Sequence, residues 1–116
     1  MKTLHHCKSS VKLFGGRVGD YYQIHAWFDE TKDHYADIRH RALRHHTQGI
    51  KECELKFGIV INNSDDKDIA VRSIAEQHIR EDLGFIPTVQ DWLKNIKPTS
   101  WMASTKKNTL KKHTLM

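Results

Sequence analysis

Residues 33–49 read DHYADIRHRALRHHTQG, and how this stretch folds decides the architecture of the chain. It gathers four of the nine histidines and three arginines behind Thr31, a residue type that caps helices, and ahead of Gly58, a type that ends them. The spacing predicts one long central helix from residue 31 to about residue 56. At about 100° per residue, Tyr35, Ile38, Ala42, Leu43, Gly49, Ile50, Cys53 and Phe57 gather on one side, the expected core face. His46 falls in the middle of that face, and Arg39 lies beside it one heptad earlier. His34, Arg41, His45 and Glu52 form a flanking stripe, while Asp37, His40, Arg44 and Lys51 point to solvent.

Shorter elements surround this helix. Upstream, residues 1–19 read as an extended or irregular lead-in closing on the flexible GGRVG turn, and Asp20 is placed to cap a short helix through about residue 29. Downstream, β-branched runs at 59–61 and 69–71 flank a turn rich in Asn, Ser and Asp, the pattern of a β-hairpin. A helix follows from Val71 or Ser73 to Leu83 and stops at Gly84. Thr88 and Asp91 have the spacing of a capping pair for a last short helix to Ile96. Pro98 ends it, and Trp101 is expected to pack back on the body. The expected fold is therefore α+β: a mainly helical single domain, residues 1–102, with a long central helix and one small β-hairpin, followed by a flexible lysine-rich tail over 103–116.

Composition narrows the function classes. A chain of 116 residues closes one modest core, and 38% hydrophobic with 28% charged residues fits a soluble globular protein. No apolar run reaches the roughly 20 residues that span a bilayer, and the start MKTLHHCKSS lacks an apolar export signal. A cytoplasmic setting and no membrane partner are expected. Cys7 and Cys53 are too few for a disulfide framework and form no CxxC pair. The net charge of +5 resides mostly in the tail, where Lys106, Lys107, Lys111 and Lys112 face no acidic residue. The folded part is nearly neutral, so a nucleic-acid or protein partner, if there is one, is expected at the basic tail.

Chemistry concentrates inside. On the helix ending at Leu83, Val71, Ile74, Ala75, Ile79 and Leu83 face inward, and His78 and Asp82 share that arc one turn apart. His25 and Asp29 repeat the same spacing on the first helix. Buried charges need partners, so these two pairs are expected to meet one another, Arg39 and His46, or a ligand. Three readings follow. In the first, His25, Asp29, His78 and Asp82 hold a divalent ion such as Zn²⁺, Mn²⁺ or Fe²⁺ for hydrolysis. In the second, His46 or His78 acts as acid or base and Arg39 clamps an anionic small molecule or nucleotide. In the third, the pairs only fix helix register. His34 and His45 are secondary site candidates from the flanking stripe.

The segments HCKSSVKLFGG, IHAWFDETK, ADIRHRALRHH, VRSIAEQHIREDLG and IPTVQDWL resemble those of an uncharacterised family of small bacterial and phage proteins, over nearly residues 5–101. The resemblance implies a compact single domain and a mobile-element context, and brings no catalytic residues with it. Other motifs fail on inspection. The position six after Cys7 is Leu13, which excludes the phosphatase Cys-x5-Arg loop; Cys7 with His5 and His6 could form a thiol-imidazole pair or part of a metal site, but an ordinary N-terminal cysteine is the preferred reading. His40-Arg41 stands where a helical phosphohydrolase would show His-Asp. Trp27, Trp92 and Trp101 are spaced as core anchors rather than as a stacking platform for bases. The leading expectation is a small metal-dependent hydrolase of phosphorylated or other anionic substrates. The alternative is a non-enzymatic binding or inhibitor protein, phage-related, whose His/Asp/Arg network is structural.

Overall fold

The hairpin and the helix that follows it form as their sequence predicts. In a computed structural model, which describes residues 1–103, strands β1 (Val60–Asn62) and β2 (Asp68–Ala70) pair antiparallel with Ile61 opposite Ile69. Both isoleucines pack against the core while the outer positions stay exposed, the alternation expected of a one-sided sheet. Helix α4 (Val71–Leu83) starts directly from β2 and ends at Gly84, whose φ of 84° is a left-handed cap that favours glycine. Helix α5 (Val89–Leu93) carries the expected reciprocal cap: Asp91 N–H donates to Thr88 Oγ1 at 3.1 Å, and Thr88 N–H donates to Asp91 Oδ2 at 2.8 Å.

The long central helix does not form. Helix α2 (Val18–Asp29) continues into a 3-10 turn (Glu30–Asp33), the chain then bends, and a second 3-10 segment (Ile38–Leu43) leads to helix α3 (Thr47–Phe57). Three local contacts explain the break. The Thr31 hydroxyl pairs with His40 Nδ1 at 2.7 Å instead of capping a helix. Asp37 accepts from Arg39 N–H at 2.8 Å and starts the 3-10 segment. His46 Nδ1 accepts from Gly49 N–H at 2.9 Å and caps α3, and a Cβ on Gly49 would collide with the Arg44 carbonyl oxygen. The bend overturns the expected faces: Tyr35, Ile38 and Leu43 are exposed, Ile38 at 70%, while His40 is buried.

The amino-terminal segment also departs from expectation. Residues 3–14 form helix α1 (Thr3–Phe14), not an extended lead-in. His6, Cys7, Ser10, Val11 and Phe14 line its inner face at helical spacing, so Cys7 is a fully buried core residue. Asp20 sits inside the first turn of α2, which begins at Val18, and its carboxylate accepts from Arg17 N–H at 2.7 Å. Trp101 is 73% exposed and does not pack back. The remaining tail, 104–116, with its expected flexibility and its lysines, lies outside the described residues.

The result is a mainly helical domain with a two-stranded antiparallel sheet, organised around α4, which contacts α1, α2 and α3. Its apolar core joins Tyr21, Ile24, Trp27 and Phe28 of α2 to Ile50 and Cys53 of α3 and to Val71, Ile74, Ala75 and Ile79 of α4. Burying such side chains contributes about 1.5–3 kcal/mol each for the larger ones. Among the described residues no helix is long and apolar enough to cross a membrane.

Candidate metal centre

Beside the apolar core, α1, α2, α4 and the residues leading into α3 each contribute polar side chains to one buried cluster. α1 brings Thr3, His6 and Ser10, α2 brings His25 and Asp29, the bend brings His45, and α4 brings Gln77, His78, Glu81 and Asp82. His6, His25, His45 and His78 are fully buried. Asp82 is 1% exposed in its side chain and Asp29 11%, so two carboxylates sit almost out of water.

Asp82 is held from several sides. Its Oδ1 faces His6 Nε2 at 3.1 Å and the Met1 amino nitrogen at 3.3 Å, and its Oδ2 faces His45 Nε2 at 2.9 Å. Asp29 Oδ2 accepts from the Thr3 hydroxyl at 2.8 Å. His78 lies between the two acids, with Nε2 at 3.4 Å from Asp29 Oδ1 and 3.3 Å from Asp82 Oδ2. That nitrogen has no hydrogen-bond partner.

The other side of His78 is fully specified. Its Nδ1 lies 2.9 Å from His25 Nδ1, His25 Nε2 lies 2.7 Å from Ser10 Oγ, and the Ser10 hydroxyl donates to Gln77 Oε1 at 2.6 Å. Burial, reinforced by the neighbouring His78 and His6, pushes His25 down to about 2, so it is neutral at pH 7. One arrangement satisfies every link: His78 Nδ1–H donates to His25 Nδ1, His25 Nε2–H donates to Ser10, and Ser10 donates to Gln77. The chain thus fixes the tautomer of His78 from the back and turns Nε2 toward the two acids, as groups behind a metal-ligating histidine do.

The donor set fits a divalent cation. A ligand bond of about 2.0–2.1 Å gives tetrahedral edges of about 3.3–3.4 Å, which are the separations from His78 Nε2 to the two carboxylate oxygens. Ligand atoms of Asp29, His45, His78 and Asp82 all lie within 4.8 Å of one another. His45 fits the ligand role less well than the other three. If its Nε2 bound an ion, its Nδ1–H would be a buried donor without a partner; donating from Nε2 to Asp82 leaves only a bare acceptor at Nδ1, the cheaper arrangement. A second group, His6, His25 and His78, also lies within 4.8 Å. Its rings are stacked, with interplanar angles of 17–26° and the His6 and His78 centroids 3.8 Å apart. Stacked rings hold their lone pairs in near-parallel, separate planes, and both nitrogens of His6 already face Glu81 and Asp82, so this trio does not converge on one ion.

Without an ion, the same groups act on one another as acids and bases. Burial opposes charge on His78, but the carboxylates of Asp29 and Asp82 beside its Nε2 outweigh that and raise its pKa. Burial lowers His45 to about 4 despite its bond to Asp82. For Asp29 burial acts upward, yet His78 and Thr3 hold it down at about 2. Asp82, against the same opposing burial, is held well below the usual range by His45, His6 and His78.

Of the residues expected in the site, His25, Asp29, His45, His78 and Asp82 come together. His25 stands behind His78, with Nδ1 toward His78 and Nε2 toward Ser10. His46 caps α3 instead of facing the cluster. Arg39 does not point inward: it is 71% exposed, bonded to Asp37 and stacked on Tyr35. His34 is exposed at the end of the first 3-10 turn. Ser10 and Arg41 join the site without having been singled out as site candidates, and His6 joins it although the reading of His5, His6 and Cys7 as a metal or thiol-imidazole site ranks below that of an ordinary cysteine. The helical recurrence of His6, Cys7, Ser10 and Val11 was the available signal, obscured by polar residues in its inner stripe.

Comparison with known proteins assigns a family and adds no chemistry. Residues 1–102 match the family model described as Domain of unknown function (DUF6915), and the chain belongs to that family. No curated protein and no solved structure matches it.

Proposed function

We propose that the protein is a small metal-dependent hydrolase acting on a phosphorylated or other anionic substrate, with Asp29, His78 and Asp82 as the ligands of a divalent ion. The reading rests on His78 Nε2, a buried nitrogen without a hydrogen-bond partner, at tetrahedral-edge distances from carboxylates of two different helices. Three protein ligands leave coordination positions open, the pattern of catalytic rather than purely structural sites. One nitrogen with two carboxylate oxygens suits Zn²⁺, Mn²⁺ or Fe²⁺. Such an ion supplies Lewis acidity and makes water a usable nucleophile near pH 7.

The chain's own groups supply the rest. His6 and His45 fix the two oxygens of Asp82, and Thr3 fixes one of Asp29. His45 anchors Nε2–H on Asp82 and keeps an unpaired Nδ1, so it is the residue placed to accept a proton. A phosphomonoester and phosphodiester screen tests the reading: turnover is expected in metal-loaded protein, lost on chelation, restored by metal, and lost in Asp82→Asn. Hydrolysis that survives chelation, or none with any of the three metals, overturns it.

A second reading has its own observation. The four imidazoles are fully buried, and the groove of about 460 Å³ lined by Tyr22, Trp27 and Phe57 lies away from them. On that reading the chain is a cytoplasmic, phage-related binding or inhibitor protein, engaging a protein or nucleic acid through its surface and basic tail. Cluster substitutions would then lower stability and leave partner binding intact in the protein that still folds.

A further inference from the structure

We infer that the centre takes a phosphate-like oxyanion on the side of Arg41, and that the Arg41 guanidinium holds it; this rests on the metal reading above. The three arginines of residues 39–44 differ in what occupies them. Arg39 spends its Nε and Nη2 on Asp37 at 2.7–3.1 Å. Arg44 donates to the Trp27 carbonyl and to Glu30, both at 2.6 Å, and its guanidinium lies 4.1 Å from the centroid of the Trp27 ring. Arg41 has an ion-pair contact only, Nη2 at 3.8 Å from Asp82 Oδ1, beyond hydrogen-bond range. Its side chain makes no hydrogen bond to the described residues, so a planar fork of five N–H donors stands uncommitted beside a ligand carboxylate.

Asp82 has no need of that fork. Its two oxygens already face His6, His45 and the Met1 amine. The position of Arg41 matters as much as its unused donors. At 20% side-chain exposure it joins solvent to an acid that is 1% exposed, whereas the four imidazoles are closed off. An ion of charge +2 balances Asp29 and Asp82, and the Met1 amine offsets Glu81, so Arg41 leaves the loaded centre positive on this side. A tetrahedral oxyanion matches both the charge and the geometry of the fork, which pairs two N–H groups with two oxygens. Phosphate or the terminal phosphoryl group of a monoester is the ligand class; a carboxylate offers the same pairing with lower charge.

The full chain loaded with Co²⁺, whose visible absorption reports its ligands, is titrated with inorganic phosphate and then with acetate. Wild type is expected to show a saturable spectral change with phosphate and a weaker one with acetate. Arg41→Gln should keep the phosphate-free spectrum and bind phosphate about tenfold more weakly or worse, as for loss of a charge-assisted bond. Arg39→Gln should match wild type. Absence of a ligand-field spectrum in wild type is a failure of the metal reading itself. A normal cobalt spectrum that phosphate leaves unchanged overturns the oxyanion side alone, and equal phosphate affinity in wild type and Arg41→Gln overturns the role of Arg41. If Arg41→Gln does not fold, Arg41→Lys decides: it keeps the charge and loses the fork, so weaker phosphate binding supports the inference and unchanged binding overturns it.

Discussion

His25 with Asp29 on α2 and His78 with Asp82 on α4 share one spacing and take opposite parts. On α4 the pair closes on itself, with His78 Nε2 at 3.3 Å from Asp82 Oδ2. On α2 the pair divides: His25 turns to Ser10 and His78, while Asp29 turns to Thr3 and to His78. Four residues of separation place two side chains on one helix face, but the facing helix decides what each one meets. α2 sees α4 across a packed interface, so Asp29 completes the site of the other helix and its histidine becomes the support behind it.

The largest expected difference lies between the two acids. Asp82→Asn strips the anion from three surrounding imidazoles and should cost about 3–5 kcal/mol in chemical denaturation. Asp29→Asn, at the more open end and with the Thr3 bond retained, should cost about 1–3 kcal/mol. An equal or reversed order breaks the assignment of Asp82 as the hub.

Acid separates the histidines next. In metal-free protein His25, at about 2, and His45, at about 4, both fall below the ordinary value of 6.5. Below pH 6.5 the unfolded chain binds more protons than the fold, so stability falls as pH drops, by about 1.4 kcal/mol per pH unit for each. The effect of His45 levels off near pH 4 and that of His25 continues toward 2. His78 acts oppositely: its raised pKa contributes stability that is present below 6.5 and lost as pH rises through the folded value. Urea titrations from pH 7 to pH 5 should show steep acid loss, flattened in His25→Asn; a flat wild-type profile contradicts buried neutral imidazoles.

Metal affinity distinguishes the pairs again. His25→Gln should keep the ion but bind it about 10–100-fold more weakly, as for groups that orient a ligand. Complete loss of metal would return His25 to the ligand set. The smallest effects belong to residues that the structure removes from the site: His46→Ala should cost about 1 kcal/mol as a lost helix cap and leave metal binding unchanged, and Arg39→Ala should leave the melting temperature and metal binding unchanged.

The parts of this architecture legible in the sequence are those governed by local rules. The Asn-, Ser- and Asp-rich turn between β-branched runs specified the hairpin, Gly84 ended α4, and Thr88 with Asp91 capped α5. The bend was hidden because Thr31 reads as a helix cap, and Asp37 and His46 as ordinary helix residues, until His40, Arg39 and Gly49 are found as their partners. α1 was hidden because its inward stripe is polar: His6 and Ser10 are buried against hydrogen-bond partners on α2 and α4, not against hydrocarbon. Periodicity placed His78 and Asp82 inside correctly and brought Asp29 and His25 with them. The exchange of Arg39 for Arg41 followed from the missing helix, since a bend changes which arginine faces the cluster.

Elemental analysis of the untagged full chain, purified without added metal and measured beside His78→Ala, tests the metal centre most directly. About one transition-metal ion per chain is expected in the wild type and almost none in the variant. Negligible metal in the wild type, persisting after dialysis against Zn²⁺, Mn²⁺ and Fe²⁺, would contradict the centre and leave the buried His/Asp network as a device of folding.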